Sequence, residues 1–150
     1  MDETYIKLGG EWRYLYRAVD KQGNIVDFLL TKRRKKGSAQ KFLNKAIDNN
    51  GCPRLINIDK SGSNKTAIWA VNKRSCRKGK IKVRQVKYLN NIIEQDHRHI
   101  KKKTQWSLGF KEFESAQRTI AGMEIVHMIK KGQVANATST CFKTFCSLAA

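Results

Sequence analysis

The sequence predicts a layered α/β domain: a mixed five-stranded sheet flanked by helices. Three observations carry this. Residues 4–30 hold three β-prone runs joined by short glycine-containing turns. From residue 38 the apolar spacing switches to a helical period. From there strand-like and helix-like segments alternate to about residue 130.

Thr4 to Leu8 alternates as a strand does, and Gly9-Gly10 is a two-residue hairpin turn. Trp12 to Val19 is aromatic and β-prone. Lys21 to Asn24 turns the chain, and Ile25 to Leu30 is a third strand. Strands joined by turns this short form an antiparallel meander. Ala39, Phe42, Leu43, Ala46 and Ile47 then share one helical face, which Gly51 ends. Arg54 to Asp59 is a short strand. It follows a helix that followed a strand, so a right-handed crossover sets it parallel to its sheet neighbour. Thr66 to Asn72 is helical, and Ile81 to Val86 alternates as a strand. A helix opens near Asn90 and breaks at Gly109-Phe110. Ser115 to Lys130 is a further helix, with Phe113, Ala116, Ile120, Met123 and His127 along one stripe. The order β-β-β-α-β-α-β-α-α is the one used by ribonuclease H-like domains. Residues 1–132 are expected to form that domain. Residues 133–150, small, polar and weakly patterned, are expected to form a loose tail.

Charge narrows the partner. Lys and Arg number 31 against 12 Asp and Glu, a formal net charge of +19, which points to a polyanion. No run approaches the ~18 apolar residues of a spanning helix and Met1 opens no signal peptide, so the chain is expected in the cytoplasm, away from membranes. Cys52, Cys76, Cys141 and Cys146 form no close pair. They are expected to be reduced and mostly buried rather than disulfide- or zinc-bound. Core packing is expected for Trp69, Trp106 and Tyr88.

Against this basic background three acids stand where the topology would converge them. Asp2 begins the first strand, and Asp59 ends the fourth at its carboxyl end, where open α/β sheets place ligands. Glu94, 35 positions after Asp59, is on the helix after the fifth strand. Each has an ordinary explanation alone: Asp59 as a helix cap, Glu94 as the i,i+4 partner of Arg98, Asp2 as a terminal residue. Together they make a carboxylate set of the kind that holds Mg²⁺ for phosphodiester chemistry. Between Lys73 and Lys103 the net charge is +10 in 31 residues, so Glu94 lies in a field suited to a DNA backbone. On a helix it shares a face with His97, Arg98 and Lys101.

The stretches VRQVKYLNNIIEQDHRHIKKKT and LGFKEFESAQRTIAGMEIVHMIKKGQ closely resemble bacterial DDE transposases of the insertion-sequence-six family. DETYIKLGGEWRYLYRAVDKQGNIVDFLL and INIDKSGSNKTAI match the same family in the same order. The resemblance runs from Asp2 to about Gln133. It implies catalytic and metal-binding roles for Asp2, Asp59 and Glu94. Two Mg²⁺, with Mn²⁺ able to substitute, would serve activation of water or a 3′-hydroxyl and stabilisation of the leaving oxygen during strand cleavage and strand transfer. It also implies DNA, both element ends and target, as partner, and a homo-oligomer in a transposition complex. Lys60, Arg98, Lys101, Lys102 and Lys103 are the expected phosphate contacts. Such transposases carry an N-terminal helix-turn-helix region. Here Met1 stands immediately before Asp2, so the expectation is an N-terminally truncated catalytic domain. The alternatives are an inactive remnant that binds DNA non-specifically and a structural RNA-binding protein.

Overall fold

The protein's structure, a computed structural model, describes residues 1–59, 62–74, 80–86, 91–106, 110–135, 137 and 140–149, with the side chains of 105, 106 and 149 left aside. Strands β1 (Asp2–Leu8), β2 (Glu11–Val19) and β3 (Ile25–Thr31) form an antiparallel meander, with Leu8 opposite Glu11 across the first turn. Both turn residues have positive φ, 53° at Gly9 and 84° at Gly10, the geometry that twists with the strands and that only glycine adopts without strain. Helix α1 (Lys36–Asn50) leads to β4 (Leu55–Ile58), then α2 (Gly62–Arg74) and β5 (Lys82–Gln85). β5 pairs parallel with β4. Helices α3 (Asn91–Trp106), α4 (Phe113–Lys130) and α5 (Cys141–Ala149) complete the chain.

The five strands do not make one continuous ladder: β1-β2-β3 and β4-β5 are separate sheets. Met1, the first residue, links β1 to β4, its ammonium donating to the Asn57 carbonyl at 2.9 Å; among the described residues this is the one backbone bond between the two strands. A single bond registers the two sheets side by side without forming a ladder.

Strand alternation divides the core. Tyr16 points to one face and packs with Phe42, Leu43, Ile58, Ile68 and Val71, so α1, α2 and β4 cover that side. Leu15 points to the other, with Ile6, Leu30, Ile100, Ala116 and Ile120, under α3 and α4. Tyr16 and Phe42 stack with centroids 6.0 Å apart. Truncating a buried aromatic such as Phe42 to alanine costs about 3–5 kcal/mol.

Three expectations change. Cys52, Cys141 and Cys146 are free but exposed, because Cys52 follows a helix end and the other two ride the outer face of α5; Cys76 lies outside the described residues. Trp69 is exposed, since α2 buries Asn64, Ala67, Ile68 and Val71 and Trp69 falls off that stripe, with Lys73 over its ring at 4.1 Å. Tyr88 and the Trp106 side chain lie outside the described residues. Of residues 133–150, expected to be loose, Cys141–Ala149 is helical with Thr144 buried, and the Gln133 side chain makes two hydrogen bonds to the Ile25 backbone. Among the described residues no helix is long and apolar enough to cross a membrane.

Candidate active site

Alternation along β1 sends Asp2 and Glu3 to opposite faces. Asp2 stands opposite Arg17 of β2, on the side that α3 covers. β4 runs alongside the start of β1, held there by Met1, and delivers Asp59 just past its carboxyl end. One carboxylate oxygen each from Asp2, Glu3 and Asp59 consequently lies within 4.8 Å of the other two.

The three are not equivalent. Glu3 is buried and already answered: Arg34 Nε and Asn64 Nδ2 each donate to it at 2.7 Å. Among the described residues Asp2 has only the Glu3 backbone N–H, 2.9 Å away. Burial pushes the Asp2 carboxyl up to about 6; that N–H works against the rise, and the Asp59 and Glu3 charges add to it. A partly buried carboxylate with other acids close by is a donor that a hard divalent cation relieves. The residues present could hold such an ion: Asp2 and Asp59 offer the freer oxygens, and Glu3 is tied to Arg34 and Asn64. Sequence reasoning missed Glu3, although an acid directly after Asp2 on the same strand was the visible signal.

Glu94 lies in the first turn of α3, exposed, and is not part of the 4.8 Å group. Residues 87–90, which lead into that turn, lie outside the described residues. Ile92 and Ile93 line the same groove of about 600 Å³ as Met1 and Asn57, so the turn carrying Glu94 adjoins the junction of β1 and β4. The structure thus brings Asp2 and Asp59 together and leaves Glu94 outside that group.

Beyond Glu94, Arg98, Lys101 and Lys102 are exposed and Lys103 is half-buried, while Lys60 lies outside the described residues. His97 does not share their face. The inward stripe of α3 is Ile93, Asp96, His97 and Ile100, which turns His97 into the core. Asp96 can face inward there because Arg17, fully buried on β2, pairs with it. Arg17 Nη2 donates to Asp96 and, at 2.9 Å, to Glu124 of α4. Arg17 Nε is also 2.7 Å from Glu124 but poorly aligned, an ion contact rather than a good hydrogen bond. His127 Nε2 (2.8 Å) and Lys131 complete the shell around Asp96. Burial alone would raise the Asp96 carboxyl; the Lys131 hydrogen bond, the Arg17 charge and His127 outweigh it and hold it at about 2.

Residues 1–133 match the family model of the DDE domain of IS240-type transposases. The chain belongs to this family. Membership bears out the resemblance to insertion-sequence transposases read from the sequence. The DDE domain is 40% identical over 132 residues to the transposase for insertion sequence-like element IS431mec of Staphylococcus aureus (strain Mu50), covering 87% of this chain and 57% of that one. The transposase for insertion sequence element IS257 in transposon Tn4003, also from Staphylococcus aureus, matches to the same extent. An uncharacterized protein, pYV0051 of Yersinia pseudotuberculosis, is 36% identical over 76 residues, covering 49% of this chain and 71% of its own length. The chain spans 57% of the length of the staphylococcal relatives. Among solved structures it resembles a chain in the structure of the simian T-cell lymphotropic virus intasome in complex with PP2A regulatory subunit B56 gamma, with a TM-score of 0.57 at 19% identity over 79% of this chain and 44% of that one. At that identity the likeness is one of fold.

Proposed function

We propose that residues 1–132 are a ribonuclease H-like catalytic domain that cuts DNA strands at element ends and joins the exposed 3′ ends to target DNA. The observation that carries this is the meeting of Asp2 and Asp59 within 4.8 Å, in a chain of the DDE family. Asp2, Asp59 and Glu94 would hold Mg²⁺, or Mn²⁺ in its place, with Glu94 reaching in from the first turn of α3. The bound cations would supply Lewis-acid activation of the attacking oxygen and charge stabilisation at the leaving oxygen.

The protein's own groups do the rest. Met1 and Asn57 clamp the strand ends that carry Asp2 and Asp59. Arg34 and Asn64 hold Glu3 away from that task. Arg17 fixes α3 through Asp96, two residues past Glu94. Arg98, Lys101, Lys102 and Lys103, with Lys60, would bind phosphates without reading sequence. The site of action is the cytosol, in a complex of more than one copy on DNA.

The test is nicking or strand joining of a labelled duplex by the purified chain with Mg²⁺ or Mn²⁺. Glu94→Gln, on an exposed position, should abolish turnover and leave the circular dichroism spectrum unchanged. A variant that cleaves as fast as the parent refutes the assignment of Glu94. Salt-sensitive binding without cleavage under either metal refutes catalysis by this chain and leaves a DNA-binding role.

A further inference from the structure

The face of β1 and β2 that carries Glu3 also carries a row the metal site does not use. The cross-strand pairs along it are Glu3 with Tyr16, Tyr5 with Tyr14, and Lys7 with Trp12. Tyr16 is under α1, but the row then emerges into solvent: Tyr5 is 43% exposed and Trp12 57%. At about 3.3 Å per residue, Lys7 and the facing Trp12 stand roughly 13 Å from Glu3. The rings are arranged rather than scattered. Tyr5 meets Trp12 edge to face at 6.4 Å and Tyr14 at 5.4 Å. Packing of that kind orients the rings, yet more than half of Trp12 stays open.

A cationic segment lies along the same row. Residues 32–36 read KRRKK and are all exposed. Arg34 docks the segment, its guanidinium 5.8 Å from the Tyr5 ring centre while Nε donates to Glu3. Arg33, Lys35 and Lys36 have no acidic partner among the described residues. Open aromatic faces flanked by unpaired cations are the chemistry that holds an unpaired nucleic-acid strand: rings stack on bases of any sequence and cations follow the phosphates.

The geometry points to a single-stranded DNA path that starts at the Asp2–Asp59 site and runs along Tyr5 to Trp12, with its phosphates on Arg33, Lys35 and Lys36. It rests on the reading of this domain as a DNA strand-cutting enzyme and adds where one strand lies when parted from its complement. A protein partner would meet the same rings, but five consecutive cations favour a polyanion.

The test compares an oligothymidylate with a blunt duplex of the same length, at fixed salt, using the full chain. Trp12→Leu keeps an apolar side chain and removes the stacking face; Trp12→Phe keeps a smaller one. Trp12→Leu and Tyr5→Leu should each weaken oligothymidylate binding roughly tenfold, in keeping with one stacked base, and leave duplex binding unchanged. Trp12→Phe should recover most of the loss. Trp12→Leu binding the oligothymidylate like the parent, or losing both ligands equally, overturns the path. So does a change in sedimentation mass with DNA affinity intact, which would make the row a protein contact. A chain that binds neither DNA refutes the strand-cutting reading and the path with it. Metal-dependent cleavage with a silent Trp12 removes the path alone.

Discussion

Arg17 and Asp96 are both buried and form a direct ion pair that locks the second half of β2 to the first half of α3. Through the same guanidinium, Glu124 ties α4 to the pair. One cation therefore fixes three elements, and its neighbour across the β1–β2 ladder is Asp2.

Removing Arg17 should be far worse than removing any surface cation. Arg17→Met leaves two carboxylates, one of them fully buried, without their shared partner, a class of change that costs about 3–5 kcal/mol. Arg17→Met combined with Glu124→Leu should recover part of that loss, because fewer unpaired charges remain. Urea midpoints of the two variants measure both. Where Arg17→Met remains folded, its cleavage should still fall, since α3 carries Glu94.

The histidines set an acid limit. Burial, then the Arg17 and Lys101 charges, drive His97 down to about 3, although Asp96 pulls the other way. Burial and the His127 ring stacked at 4.0 Å take His99 down to about 4. Unfolding releases both imidazoles to the ordinary value near 6.5, so below that pH the unfolded chain binds more protons than the folded one. Stability should be complete above about pH 6.5 and fall as pH is lowered toward about 4. His97, the better buried, should account for roughly 2–3 kcal/mol between about pH 7 and about pH 4.5; His99, reached by solvent, contributes less. His97→Gln should flatten that limb in urea titrations across the range.

The meander and the helices were legible because their signals are local: glycine turns, alternation and a helical apolar spacing. Ser115 to Lys130 was read by its apolar stripe, and Ala116 and Ile120 are buried on it. Glu124, four residues past Ile120, lies on the same stripe and was not singled out. Its meaning depends on Arg17, 107 positions away, sitting inside the apolar run YLYRAV. A charge in each of two apolar patterns was the available clue, and only packing matches them. His97 was misplaced for the same reason, since a face judged by charge alone runs from Glu94 through His97, whereas the buried face starts at Ile93. The single sheet failed where one bond, Met1 to Asn57, stands for a ladder. Of the site, the Asp2–Asp59 meeting followed from topology, whereas the reach of Glu94 depends on how α3 is entered.

Glu3 and Asp59 both bring a carboxylate oxygen within 4.8 Å of one on Asp2, and metal binding should separate them. Mg²⁺ that binds the folded chain stabilises it by about 1.4–2.7 kcal/mol at roughly 10–100 times its dissociation constant. Asp59→Asn should abolish the rise in Tm on adding Mg²⁺, and chelation should return the parent to the variant's behaviour. Glu3→Gln should lower Tm outright, because Arg34 and Asn64 lose a charged acceptor, yet retain most of the Mg²⁺ response. If Glu3→Gln loses that response and Asp59→Asn keeps it, the two carboxylates exchange roles.

The cations of α3 should act through salt. Arg98, Lys101 and Lys102 are exposed on the helix that begins beside the acid site. A cation resting on a phosphate displaces a counterion, so the slope of log affinity against log salt on duplex DNA should shrink by about 0.9 for each one removed. Arg98→Ala, Lys101→Ala and Lys102→Ala should each do this on any duplex sequence, because phosphate contacts carry none of the base code. Fluorescence anisotropy at several salt concentrations measures the slope. A variant that weakens binding with the slope unchanged has lost a contact to something other than phosphate. Lys103, half-buried, should shift the slope least, since its reach into solvent is shortest.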